Sequence, residues 1–364
     1  MRRSHAAALA GLGALLLLLL ARLPPAPPPA PLRAPPGSLA ALAPAPAPAG
    51  TDAPPDNRTA APPPPPPPSS ERAPAPGPGP ATNASAATAR PLLVSDVYVS
   101  GHSSPHPELC PSLGARLRLL VLVTSAPAHA AARDAVRLTW GHYAARSDVA
   151  LAFVLGAPPA ELAPRLAAED ALYGDLVVGR ALDSYANLTL KTLSMLEWAA
   201  TYCPRAPRLL KTDDDMFINV PRLLRFAAAR GEARSVWGRV ARRWLPIRTP
   251  RSKYFVSPAQ FPGRVYPDFA TGPAYLVSAD SVRPLLAAAR APGRRYLPLE
   301  DVFVTGVLAA AAGVARRHAP EFYNRRVATH ACAVQRGVAI HMVRPADQYD
   351  LWKKLHDTRA KCGA

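Results

Sequence analysis

The sequence predicts an α/β domain, a mostly parallel twisted sheet flanked by helices, behind a long extended N-terminal segment. Three observations predict it. Apolar runs and helical stretches alternate as β-α-β-α-β-α-β between residues 117 and 219. The first run, Leu117 to Thr124, is apolar except for Arg118, the pattern of a strand buried on both faces. Three consecutive acids, Asp213, Asp214 and Asp215, stand between an apolar run and a helix start, where open α/β sheets hold ligands.

The chain has 364 residues and 46 prolines, unevenly spread. Residues 24 to about 90 are almost wholly Pro, Ala, Gly, Ser and Thr, with an unbroken proline run from Pro62 to Pro68. Such a stretch has too little branched apolar surface to bury, and it reads as a semi-rigid linker. Ahead of it, Arg2 and Arg3 precede an uncharged stretch from Ala6 to Ala21 in which Leu15 to Leu20 are all leucine. The stretch is short for a span and compatible with a cleaved signal peptide, but the leading arginines and the lack of a small-x-small cleavage site favour a retained anchor with a cytosolic N-terminus. The expected layout is a cytosolic tail over 1–5, a transmembrane anchor over 6–23, a lumenal stem over 24–112 and the folded domain over 113–364. Sequons at Asn57, Asn83 and Asn187 agree with a secretory lumen. Cys110, Cys203, Cys332 and Cys362 are expected to form two disulfides, in any of three connectivities. Their spacing contains no CxxC, which argues against zinc. The net charge of +18 raises nucleic acid as a partner, but the arginines are scattered and seldom lie beside aromatics. An anchored, lumenal chain would meet no nucleic acid.

In the folded region, Ser125 and Pro127 open a helix running through Arg133 and Arg137 to Gly141. The two arginines share one helical face and are candidates for diphosphate contact, or else form a solvated basic face. A strand over Val149 to Leu155, a helix from about Pro159 to Leu172 and a strand over Asp175 to Val178 follow. The next helix carries Leu190, Leu193, Leu196 and Ala200 on one face and Lys191 on another. Arg208 to Lys211 leads into the acid triplet, after which Asn219 caps a helix with Pro221 in its first turn. Hard oxygen ligands suit Mg²⁺ or Mn²⁺. The missing glycine at the sixth position argues against an EF-hand loop, and no GxGxxG or Walker pattern occurs. A plain solvated acidic turn is the competing reading of the triplet.

Beyond Gly231, a strand over Ser235 to Val240 leads to residues 241–273, rich in arginine, proline and aromatics. That texture suits sugar stacking and equally the packing of a long loop. Glu300 and Asp301 sit in the first turn of another helix, a placement that also favours the helix dipole. His341 lies in an apolar strand over Ala339 to Met342, and a helical tail starts near Ala346. A lone histidine in such a run suits a hydrogen-bonded core position as well as a ligand.

Six stretches in order resemble the β1,3-glycosyltransferase family of the Golgi, which includes galactosyl- and N-acetylglucosaminyltransferases. They are RDAVRLTWG from Arg133, DSYANLTLKTL from Asp183, KTDDDMFIN from Lys211, ATGPAYLVS from Ala270, EDVFVTG from Glu300 and IHMVRP from Ile340. The resemblance covers about residues 116–356. It implies a GT-A-type fold, a UDP-sugar donor, a glycan acceptor on glycoprotein or glycolipid, and an inverting transfer. It also implies Mn²⁺ held by Asp215 and His341, with Asp213 and Asp214 on the donor and Arg133, Arg137 and Lys191 as further donor contacts. Asp301 stands at the family's position for the catalytic base, with Glu300 and Gly272 on the acceptor side. Ala270-Thr271-Gly272 replaces the family's frequent Cys-Ser-Gly, so the acceptor pocket is expected to differ. Glu300-Asp301 and Lys211-Thr212 look more like the galactosyl members. The runner-up donor is UDP-N-acetylglucosamine, and a non-catalytic lumenal glycan-binding or chaperone protein is the alternative from another class.

Overall fold

The computed structural model describes residues 90–231 and 233–362. The expected tail, anchor and most of the stem, with Asn57 and Asn83, lie outside them. Among the described residues no helix is long and apolar enough to cross a membrane.

An eight-stranded sheet runs in the order β1-β4-β3-β2-β5-β8-β7-β9. Its strands are β1 (His102–Ser104), β2 (Leu119–Thr124), β3 (Val149–Ala157), β4 (Leu176–Leu182), β5 (Arg208–Asp213), β7 (Ser235–Ala241), β8 (Phe269–Ser278) and β9 (Ala315–His318). The centre, β4-β3-β2-β5, is parallel throughout. β8 pairs antiparallel with both β5 and β7, and β1 is antiparallel on the far edge. Helices α1 (Ala130–Arg137), α2 (Ala163–Tyr173), α3 (Leu188–Tyr202), α4 (Val220–Ala228), α5 (Ala279–Arg290) and α6 (Pro345–Leu355) flank the sheet.

The apolar run of β2 is explained by its burial on two sides. Leu120 and Leu122 belong to one core with Ala152, Val154 and Leu193. Leu119, Val121 and Val123 belong to the other, with Phe153, Trp140 and Leu223. At about 1.5–3 kcal/mol for each fully buried aliphatic side chain, this strand cannot slip register without exposing one whole set.

Three expectations are corrected. The packed fold begins before the stem boundary expected at residue 112, because β1 joins the sheet edge and Cys110 is bonded to Cys203. The helix expected from Ser125 to Gly141 is two pieces, α1 and a 3-10 turn over Trp140–Ala145, with Ser125 to His129 left as a loop. α3 is buried nearly all round rather than on one face, since α5 and the sheet cover opposite sides of it. The second disulfide joins Cys332 to Cys362.

Candidate active site

The connections leave β2 and β5 in opposite directions, so a crevice opens at their C-terminal ends. Thr124 and Asp213 face each other there, and the Thr124 hydroxyl donates to the Asp213 carboxylate. The three acids then part company. The side chains of Asp213 and Asp215 are 32% and 48% exposed, whereas that of Asp214 is 11%. Asp214 turns inward and accepts from Ser125 Oγ at 2.7 Å, with His129 Nδ1 at 2.9 Å. The Asp214 hydrogen bond holds the His129 imidazole above its usual pKa. Asp214 therefore braces the loop after β2, turned away from the side on which Asp215 meets His341.

The turn beyond Asp215 is held by a second, small sheet in the order β10-β11-β6, with β6 at Phe217–Ile218, β10 at Phe322–Tyr323 and β11 at Ala339–Ile340. Ile340 is registered against Phe217 in antiparallel pairing. That register carries His341 to the acids: its Nε2 lies 3.2 Å from Asp215 Oδ2. The Val343 amide donates to the Asp215 carbonyl at 2.9 Å, and the indole of buried Trp140 donates to the Met216 carbonyl at 2.9 Å. Adjacent ligands of an octahedral ion bound at about 2.1 Å stand about 3 Å apart, so this pair fits a small divalent cation. Among the described residues no group of three or more His, Cys, Asp or Glu side chains could hold a metal. Two protein ligands leave positions for phosphate oxygens and water, the usual way such ions bind beside phosphorylated substrates.

Arg133 and Arg137 are spent elsewhere. Arg133 is fully buried, and its guanidinium donates to both Glu169 oxygens, Ser125 Oγ and the carbonyls of Ala126 and Pro127. Arg137 donates to Asp175, Glu169 and Asp134 and packs on the Phe153 and Tyr173 rings. Both guanidinium groups are committed to partners inside the domain, and the structure does not bring them to the Asp213–Asp215 turn where the diphosphate was expected. Lys191 is likewise buried, on Asp183 at 2.8 Å and the Ser125 carbonyl at 2.7 Å. Arg133 and Lys191 shape the loop from Ser125 to His129, and Arg137 holds Glu169, the partner of Arg133.

The acceptor-side acids are reached from below. Lys211, on β5, is 3% exposed. Its ammonium donates to Asp213 Oδ1 at 2.5 Å and to the Gly272 carbonyl at 2.7 Å, with Glu300 Oε2 at 3.8 Å. Burial lowers its proton affinity, but the charges of Asp213 and Glu300 more than offset this and raise it. Glu300 is itself buried and accepts from the Tyr275 hydroxyl at 2.6 Å. Burial lifts its pKa to about 7 in spite of Lys211. Asp301 is half-buried, with Oδ2 accepting the Gly272 amide at 3.0 Å and Oδ1 its own helix's Val302 amide at 2.8 Å. Burial raises its pKa too, against those two hydrogen bonds. Asp301 thus has access, fixed orientation and basicity, while Glu300 is sealed beneath it. Lys211 joins Asp213 to the Gly272 carbonyl, and the Gly272 amide binds Asp301, so the two acid groups lie side by side.

Sequence reasoning missed Lys211 as a member of the site, along with Tyr275, Thr124 and Ser125. A lysine following Leu209 and Leu210 in a strand that leads to the acid triplet was the available signal.

Asp215 and His341 close together on one side and an oriented, half-buried Asp301 on the other form an arrangement suited to group transfer. The sequence profile of the galactosyltransferase family matches residues 131–320. Rat beta-1,3-galactosyltransferase 4 is 36% identical over 286 residues, 68% of this chain and 75% of that protein. A human acetylgalactosaminyl-O-glycosyl-glycoprotein beta-1,3-N-acetylglucosaminyltransferase is 34% identical, covering 67% of each chain. Human beta-1,3-galactosyltransferase 5 is 32% identical over 67% of this chain and 80% of its own length. The chain belongs to the galactosyltransferase family, and its sheet with the acidic turn at the β5 end is the expected GT-A arrangement.

Proposed function

We propose that the protein transfers galactose from UDP-galactose to the 3-hydroxyl of an acceptor sugar, with inversion to a β1,3 linkage. The carrying observation is Asp301 fixed by the Gly272 and Val302 amides beside the acid turn that faces His341. Asp301 takes the proton of the acceptor hydroxyl as that oxygen attacks the anomeric carbon from the face opposite UDP. Its raised basicity suits that task. Lys211 ties Asp213 to the Gly272 carbonyl, and so keeps the donor wall and the acceptor wall in register. Asp215 and His341 would hold Mn²⁺, with Asp213 supporting the donor. When bound, the ion offsets the charge that develops on the departing diphosphate.

The relatives named as galactosyltransferases favour galactose, as do Glu300-Asp301 and Lys211-Thr212. The setting proposed is the Golgi membrane, single-pass with residues 6–23 as anchor and the domain lumenal. Glycans are proposed on Asn57, Asn83 and Asn187. The Asn187 amide donates to the Leu182 carbonyl and Thr189 of that sequon is fully buried, so attachment there has to precede folding. The test is turnover of a panel of UDP-sugars by the full chain with Mn²⁺ and a mixed glycan acceptor set. UDP-galactose turnover is expected. Turnover of UDP-N-acetylglucosamine alone would replace the donor. No turnover of any sugar would leave the non-catalytic lumenal reading.

A further inference from the structure

Strand β8 leaves regular pairing beside the candidate base. Toward β5 the register is unbroken, with Lys211 opposite Tyr275 and Thr212 opposite Ala274. Toward β7, Gly238 is opposite Tyr275, but Val240 is opposite Ala270 where a regular register would give Pro273. Thr271, Gly272 and Pro273 are therefore bulged out of the ladder. Pro273 has no amide to give a neighbouring strand, and prolines within sheets collect at bulges. A bulge re-aims the groups around it. This one turns the Gly272 amide to Asp301 Oδ2 at 3.0 Å and its carbonyl to Lys211 Nζ at 2.7 Å.

Backbone groups without ladder partners have to be taken up by something else. At one end of the bulge Thr305, on the helical turn that Asp301 caps, accepts the Ala270 amide at 2.9 Å. The other end is held from a different part of the fold, by Asn324. Its side-chain amide donates to Thr271 Oγ1 at 2.8 Å and to the Thr271 and Ala274 carbonyls at 3.0 and 3.2 Å. Carbonyls only accept, which fixes the amide with its nitrogen toward the bulge. Asn324 directly follows β10, and the carbonyl of Tyr323 before it accepts the His341 amide at 3.0 Å. One side chain thus spans from the strand pair that places His341 to the bulge that aims Gly272 at Asp301. Asn324 Oδ1 is buried and meets no donor among the described residues. An orphaned buried acceptor offsets much of what the donors contribute to stability. The amide is ill suited as a plain stabiliser and well suited as a brace.

We propose that Asn324 is a positioning residue for the transfer: it locks the β8 bulge in the shape that aims the Gly272 amide at Asp301, and keys that shape to the strand pair carrying His341. It acts on the base through Gly272 and not on substrate. The proposal rests on the transfer reading above, and its backbone part can be read without turnover.

In full-length Asn324→Ala with Mn²⁺ and UDP-galactose, kcat is expected to fall about 30-fold with the donor KM within about twofold of the parent, because a small displacement of a catalytic group costs rate rather than donor binding. The acid limb of the rate profile should move up by about half a pH unit, since an Asp301 that loses the Gly272 amide loses a bond favouring its ionised form. Asn324→Ser, which keeps one donor in place of two, is the milder variant for the same measurements and should show a smaller change of the same sign. The substrate-free readout is hydrogen–deuterium exchange. Peptides covering residues 269–276 should exchange about tenfold faster in Asn324→Ala, while those covering 119–124 stay parental and the melting temperature moves by less than about 2 °C. A parental kcat, or parental exchange over 269–276, would overturn the proposal. Equal acceleration over 119–124 would make Asn324 a residue of general stability and overturn it as well. A parent that turns over no sugar would overturn the transfer reading and the catalytic part with it, and exchange alone would then decide the brace.

Discussion

The two acid groups of the cleft are both pairs of carboxylates, set in opposite surroundings. Asp213 and Asp215 sit on a turn, partly in water, within reach of Lys211 and His341. Glu300 and Asp301 sit at a helix start, where burial drives both pKa values up. A carboxylate that must hold a cation has to stay ionised, which needs solvent or a counter-charge. A carboxylate that must accept a proton gains from losing solvent. Environment rather than residue identity divides the labour, with Lys211 as the shared neighbour that links the two groups.

The largest expected effect is on the proton-accepting side. Asp301→Asn should lower kcat by about 10³-fold while UDP binding, read by calorimetry, stays within twofold. In the parent, activity should fall as pH drops through the raised Asp301 pKa, above the ordinary aspartate range. If Glu300→Gln is the dead variant and Asp301→Asn is active, the division between them is reversed.

Next comes the claim that Arg133 is structural. Arg133→Met should cost about 3 kcal/mol of unfolding free energy without any ligand, because Glu169 and the Ser125 loop lose a buried partner. A variant of parental stability with weaker UDP binding would return Arg133 to the donor.

Glu300 tests the tuning itself. Its folded pKa lies above its unfolded value, so the folded state holds a proton that the unfolded state releases as pH rises from about 4.5 to about 7. Stability from this group is present below that window and lost through it, by on the order of 3 kcal/mol. Glu300→Gln should flatten that slope in urea melts taken across the window. A slope unchanged by the substitution would mean that Lys211 keeps Glu300 ionised.

The smallest effect concerns the cation pair. His341→Ala should raise the Mn²⁺ concentration for half-maximal rate by about tenfold and leave the metal-free melting temperature within a degree or two. A lower melting temperature with unchanged metal dependence would make His341 a packing residue.

Much of this was legible in the chain. The continuous apolar run of β2 could only be a strand buried on both sides, and its alternation into two cores is a property of strand geometry. Asn219 accepts from the Arg222 amide as an N-cap must, and Pro221 lies in the first turn of α4. The acid triplet announced a site because three adjacent carboxylates need a reason to coexist. What the sequence could not decide is which way each charged side chain turns. Arg133 and Arg137 read as a free basic face, and only the arrival of Glu169 and Asp175 from α2 and the start of β4 made them a buried network. Asp214 and Asp215 are neighbours in the chain, yet one braces a loop and the other meets His341, because the register of β6 against β11 sets the turn between them. Local pattern determines secondary structure because it depends on neighbours a few residues away. The ionisation and reach of a side chain depend on partners distant in sequence, and those are supplied only when the sheet closes.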